Sequence, residues 1–196
     1  MAKVGISRLH YAVMDSSHED APTSNPQYGT IKAPSVGLIN VDLSVENNTV
    51  SVYADNMVWE TQSSQGNINF SGSIADFPMD AQADLLGHSY TAAGSGTNAT
   101  LIKKSSDTAP YVALGFEFLQ SNGKKMCVWL YKGKFAEPNM AGQTKGENTE
   151  YQPYDFTATF AALKGTGGNT GRWLYMEEFD ANASTDSFYT SVPLAT

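Results

Sequence analysis

Tyr111-Val-Ala-Leu-Gly-Phe-Glu-Phe-Leu-Gln-Ser-Asn-Gly-Lys-Lys-Met-Cys-Val-Trp-Leu-Tyr-Lys-Gly-Lys-Phe-Ala-Glu137 reads as one long β-hairpin. Its turn signal is Asn122-Gly123, because both residues tolerate the positive φ of a type I′ turn. With those two at the centre, Ser121 faces Lys124, Phe118 faces Cys127, Phe116 faces Trp129, Leu114 faces Tyr131 and Val112 faces Gly133. Side chains alternate between the faces of a strand. Val112, Leu114, Phe116, Phe118, Cys127, Trp129 and Tyr131 then form one apolar face. Tyr111, Ala113, Glu117, Val128, Leu130, Lys132 and Lys134 form a mixed, wetter one. A looser loop would change the pairs and keep the core face.

Outward from the hairpin, the bulk numbers bound the class. The 196 residues are enough for one sizeable core, and residues 1–196 read as a single domain. Apolar residues make up 41% and charged residues 16%, a folded composition whose sparse charge leaves much surface neutral or covered by partners. The net charge of −8 argues against tight nonspecific binding to nucleic acid, which needs clustered Lys and Arg. The acid is uneven: residues 1–100 hold ten acids and three bases, residues 101–196 ten and nine. The single cysteine, Cys127, rules out an intrachain disulfide and reads as a buried structural thiol. No secretory signal and no membrane-spanning apolar run are expected from the sequence.

Along the chain, Val4 to Met14 reads as a first strand. Ser16–Gly29 is a polar arm carrying Pro22 and Pro26. In the next strand Ile39, Val41, Leu43 and Val45 point inward, while Asn40, Asp42, Ser44 and Glu46 point outward. Asn47-Asn48 is a turn, Thr49 to Ala54 the returning strand, and Asp55–Gly66 a second long connection. Asn67 to Ile74 is a strand with Ile68, Phe70 and Ile74 inward. Asp76 to His88 is a helix capped by Asp76 and ended by Gly87, with Phe77, Ala81 and Leu85 on one stripe. Short strands at Asn98–Lys103 and Arg172–Met176 and a β-rich stretch with Phe156, Ala158 and Phe160 inward follow, and a short helix is expected over Asn182–Val192. The fold class is mainly β, a sandwich or barrel-like domain with one short helix and long loops.

Chemical motifs read as structure. Gly165-Thr-Gly-Gly-Asn-Thr-Gly171 has the composition of a phosphate loop. A strand follows it rather than a helix, so a hairpin tip is expected. Asp180, Asn182, Ser184 and Asp186 have calcium-loop spacing, but Thr185 and Ser191 stand where Gly and a carboxylate are required. His10, His18 and His88 are scattered, and a cap contact is expected for His88. No nucleophile elbow is present. No cofactor, no metal and no enzymatic activity are expected. Met57-Val58-Trp59 is the exception among loop residues: three large apolar side chains in a polar connection fold back on the core or seek a partner's groove.

Asp107-Thr-Ala-Pro-Tyr-Val-Ala-Leu-Gly-Phe and Val128-Trp-Leu-Tyr-Lys-Gly-Lys-Phe resemble blocks of the major tail proteins of long non-contractile-tailed bacteriophages. So do Ala2-Lys-Val-Gly, Tyr53-Ala-Asp-Asn and Leu85-Leu-Gly-His, in the same order along nearly the whole chain. The resemblance implies a virion protein made in the host cytoplasm, a tail tube subunit that assembles as stacked homohexameric rings. Its partners would be itself, the tape measure and tail terminator proteins, and double-stranded DNA in transit without specific binding. Segments 16–29 and 55–66 would then serve inter-subunit contact, with Met57, Val58 and Trp59 as anchors, and Asp42 and Glu46 would face the lumen. Two other readings stand beside it. One is a carbohydrate-binding β-sandwich using Trp59, Trp173 or tyrosines as platforms. The other is a tube of a related injection machine, such as the haemolysin-coregulated protein family.

Overall fold

A computed structural model describes residues 2–16, 20–21, 24–34, 36–140, 142, 144 and 152–194. Among the described residues the chain is mainly β, with one α-helix and antiparallel strands throughout. The strands are β1 (Lys3–Val13), β2 (Leu38–Ala54), β3 (Met57–Ile74), β4 (Ser89–Thr91), β5 (Thr100–Ile102), β6 (Val112–Gln120), β7 (Lys125–Phe135), β8 (Tyr154–Ala161) and β9 (Leu174–Phe179); helix α1 is Met79–Leu86. Seven strands make one sheet in the order β1-β6-β7-β8-β3-β2, with β9 also paired to β7. β4 and β5 pair only with each other. The large sheet folds over so that Leu9 and Tyr11 of β1, Phe70 of β3, Phe116 of β6, Leu130 of β7 and Phe156 and Phe160 of β8 share one core. Phe70 sits at its centre, with its ring centroid 5.7–5.8 Å from those of Phe116, Phe156 and Phe160. Phe77, just ahead of α1, and the helix's Ala81, Leu85 and Leu86 close the core at one end.

The central hairpin forms, but in a different register. Gly123 alone takes positive φ (+82°), and Asn122 does not. The Gly123 N–H donates to the Gln120 carbonyl and the Gln120 N–H to that of Lys124, so Ser121-Asn122-Gly123 is a three-residue loop ending in a glycine bulge. Phe116 therefore pairs with Val128, Gly115 with Trp129 and Leu114 with Leu130. A slip of one residue turns a strand over. Val128 and Leu130 join Phe116 in the main core, while Cys127 and Trp129 face the other way into a second cluster with Ala113, Phe188 and Tyr189. Tyr131 enters a third with Met14 and Leu163. The expected packing of Phe116 on Trp129 is wrong; they lie on opposite faces. A bulge between Val112 and Leu114 restores the expected pair Val112–Gly133.

Space explains the choice. Three strand glycines lie directly opposite aromatics: Gly72 with Phe156, Gly115 with Trp129 and Gly133 with Phe160. A Cβ on Gly115 would stand 3.1 Å from the indole, and one on Gly133 2.4 Å from the Phe160 ring. Each ring fills the volume its partner lacks, which the expected register would have denied to Trp129.

Further expectations change. Asn47-Asn48 is not a turn and Asp55–Gly66 is not a loop: β2 and β3 run 17 and 18 residues and meet at Asp55-Asn56, with φ +50° and +63°. That two-residue loop has both central residues left-handed, as a type I′ turn requires. Ile39 is exposed rather than inward, because a bulge between Leu38 and Asn40 gives the core position to Leu38. Pro78, not Asp76, occupies the helix N-cap, and no side chain caps it; Gly87 ends the helix in the left-handed conformation as expected. At the C-terminal end the expected helix is a 3-10 turn over Asp186–Tyr189.

The arm at 16–29 lies partly outside the described residues, but its described part docks on its own chain. Asp15 and Gly29 bond the backbone carbonyls of Gln27 and Val13, and the Tyr28 hydroxyl donates to the Tyr131 carbonyl (2.8 Å). Asp20 is buried, accepting from Lys132 Nζ (2.7 Å) and the Lys164 N–H (2.8 Å).

Candidate functional site

The β2–β3 hairpin begins inside the core and ends outside it. Near its base Val45 packs on the core and Ile68 and Phe70 are buried within it. From Asn47–Gln65 to Ala54–Met57 the two strands run on as a ribbon, with nearly every side chain exposed. Eight residues at a strand's rise carry the tip roughly 26 Å along the ribbon. Met57, Val58 and Trp59 stand there, and Trp59 is 69% exposed. A register shift between Val52 and Tyr53 makes Trp59 the extra residue of the return strand. Val50, Val52 and Tyr53 are exposed beside them, Tyr53 to 72%. The sequence reading missed these three because it placed them on a strand without seeing that nothing covers it. A two-stranded ribbon is marginal in water by itself, and six large apolar side chains on one add cost rather than stability.

Asp42 and Glu46 lie on the outer face of the sheet, in a broader polar surface. Asn40, Asp42, Ser44 and Glu46 of β2 share it with Asn69, Ser71 and Ser73 of β3 and Asp155, Thr157 and Thr159 of β8. The Asn69 side-chain amide donates to Glu46 (2.9 Å), and Ser73 donates to Asp155. On this face the three strands present three carboxylates, Asp42, Glu46 and Asp155, no base and otherwise short neutral side chains. Lys134 of β7, opposite Thr159, is the nearest cation by register.

The residues with reactive chemistry are engaged elsewhere. Cys127 lies 3.9 Å from Glu117, and burial pushes its thiol up to about 11, which suppresses the nucleophilic thiolate. Glu117 accepts from Thr185 (2.7 Å), and Arg8 bonds both Thr185 and Asp186. His10 stacks on Tyr189 with centroids 4.0 Å apart, and burial lowers its basicity. The Gly165–Gly171 loop is pinned by Asn25, whose side-chain oxygen accepts from the Thr166 N–H and the Asn169 amide. In the calcium-like segment Asp180 pairs with Lys124 and Asp186 with Arg8. Among the described residues no group of three His, Cys, Asp or Glu is placed to hold a metal ion. The His88 backbone N–H caps α1 by bonding the Ala83 carbonyl, while its imidazole reaches two carboxylates. Trp173 packs on the core and Trp129 is buried, leaving Trp59 as the exposed tryptophan.

No protein-family model matches the chain, and no curated protein matches it either.

Proposed function

We propose that this chain is a structural subunit of a phage tail tube, self-assembling as stacked hexameric rings through which DNA passes into the host. The observation that carries the reading is the β2–β3 ribbon, with Val50, Val52, Tyr53, Met57, Val58 and Trp59 exposed at its outer end. Burying a large apolar side chain contributes about 1.5–3 kcal/mol, so such a tip is stabilised by a second surface, and a second copy supplies one in every ring. The collinear resemblance to major tail proteins supports the same role, and so does the polar outer face with Asp42 and Glu46. A tube lumen needs a wall that does not grip phosphate, and that face offers carboxylates and hydroxyls. The role calls for no catalysis. Tape measure and terminator proteins would complete the tail.

Trp59→Ala tests it. The variant keeps the wild-type circular dichroism and forms no tubes or rings by negative-stain microscopy, while the wild type forms them. Normal polymerisation of the variant would defeat the assignment. Exposed Trp59 and Tyr53 also suit a carbohydrate platform, and wild-type monomers retained on polysaccharide would favour that reading instead.

A further inference from the structure

The β4–β5 hairpin is separate from the large sheet and has little apolar hold on it. Residues 89–100 are all exposed, Tyr90 included; Leu101 is half-buried and Ile102 exposed. The chain enters this hairpin at His88 and leaves it at Lys103, and both ends converge on Glu137 beyond β7. His88 Nε2 lies 3.0 Å from Glu137 Oε2, and Lys103 bonds the other oxygen. His88 Nδ1 lies 2.9 Å from Asp107 Oδ2, which also accepts the Lys104 N–H. The His88 side chain is 7% exposed. The charged groups facing it are therefore Lys103, Lys104 and Asp107 after β5, and Glu137 after β7. The nearest acid of α1, Asp84, is turned to Tyr11 and Lys32.

The two ring nitrogens are each aimed at a carboxylate oxygen, one on Asp107 and one on Glu137, and Lys103 takes the second oxygen of Glu137. We propose that this four-residue clasp is a charge-operated lock that holds the Ser89–Ile102 hairpin against the body, and that acid releases the hairpin while the sheet stays folded.

The chemistry gives the sign. Asp107 is held below the usual carboxylate range, chiefly by its bond to His88, and Glu137 likewise, chiefly by Lys103. A carboxylate depressed in the folded state contributes stability above its ordinary range and loses it as pH falls through the depressed value. The lock therefore opens on the acid side of the ordinary carboxylate range.

Hydrogen exchange of the purified full chain tests this, with rates corrected for the intrinsic effect of pH. At pH 7, Asp107→Asn/Glu137→Gln raises exchange across residues 89–102 by about tenfold or more, while protection in β6 and β7 holds. In the wild type, acid lowers hairpin protection to the level of that variant, and the variant does not respond. Unchanged hairpin exchange in the variant overturns the proposal. So does a parallel rise in β6 and β7, or an equal acid response in the two proteins.

Discussion

Trp129 is fully buried, and its indole N–H donates to the Phe188 carbonyl (3.2 Å). Trp129→Ala removes the ring that covers Gly115 and leaves that carbonyl unpaired. It should cost about 3–5 kcal/mol in denaturant unfolding. Gly133→Ala tests the glycine–aromatic pairing from the other side. Its new Cβ would be driven into the Phe160 ring, so a loss of about 1–3 kcal/mol is expected despite the gain in β propensity. The buried pair Asp20–Lys132 carries a different lesson, because Lys132 also lies 4.7 Å above the Tyr111 ring. Asp20→Asn leaves the ammonium buried without its counter-charge and should cost about 3–5 kcal/mol, whereas Asp20→Leu/Lys132→Met should cost distinctly less. Equal losses in the single and double variants, measured by the same unfolding curves, would show that the pair acts by packing alone.

At the scale of elements, one hairpin carries a turn dipeptide and the other does not announce its turn. Asn122-Gly123 reads as a two-residue turn and forms a three-residue loop. Asp55-Asn56 reads as part of a long connection and forms the type I′ turn. The first error arose because both faces of β7 are covered, so neither Cys127, Trp129 and Tyr131 nor Val128 and Leu130 marked a wet side. The second arose because the outer β2–β3 ribbon has no buried side and so no clean alternation to read. Asn56 at +63° is suited to glycine. Asn56→Gly should leave the tip's amide protection unchanged or raised, and Asn56→Val should lower it. The tip should respond while the base at Val45–Ile68 does not.

At the scale of the molecule, the outer sheet face bears on passage of DNA, if the proposed tube is right. Six copies carry about six times −8, and duplex DNA carries roughly one charge per 1.7 Å of axis. A basic wall would hold it at many phosphates. A wall of carboxylates and hydroxyls leaves a layer of water and counterions, screened over roughly 8 Å at physiological salt. Asp42→Lys/Glu46→Lys should therefore assemble into normal tubes and slow genome delivery from whole particles. Delivery at the wild-type rate would remove both residues from the lumen.

The sequence by itself determined the mainly β class, the inward sets Ile68, Phe70, Ile74 and Phe156, Ala158, Phe160, the helix stripe Phe77, Ala81, Leu85, and the outward set Asp42 and Glu46. In each of those strands one face is apolar and the other polar, and the helix stripe is equally distinct, so periodicity alone assigns the side. Tertiary structure decided the rest: which face of β7 meets which cluster, the bulge that expels Ile39, the docking of Asp20 on Lys132, and the joining of His88 to Asp107 and Glu137. These depend on volumes and charges from segments distant in the chain, where local pattern carries no information. The exposed tip lies between the two. Met57, Val58 and Trp59 were legible as apolar residues without a home, but only the length of the ribbon put them beyond the reach of their own core.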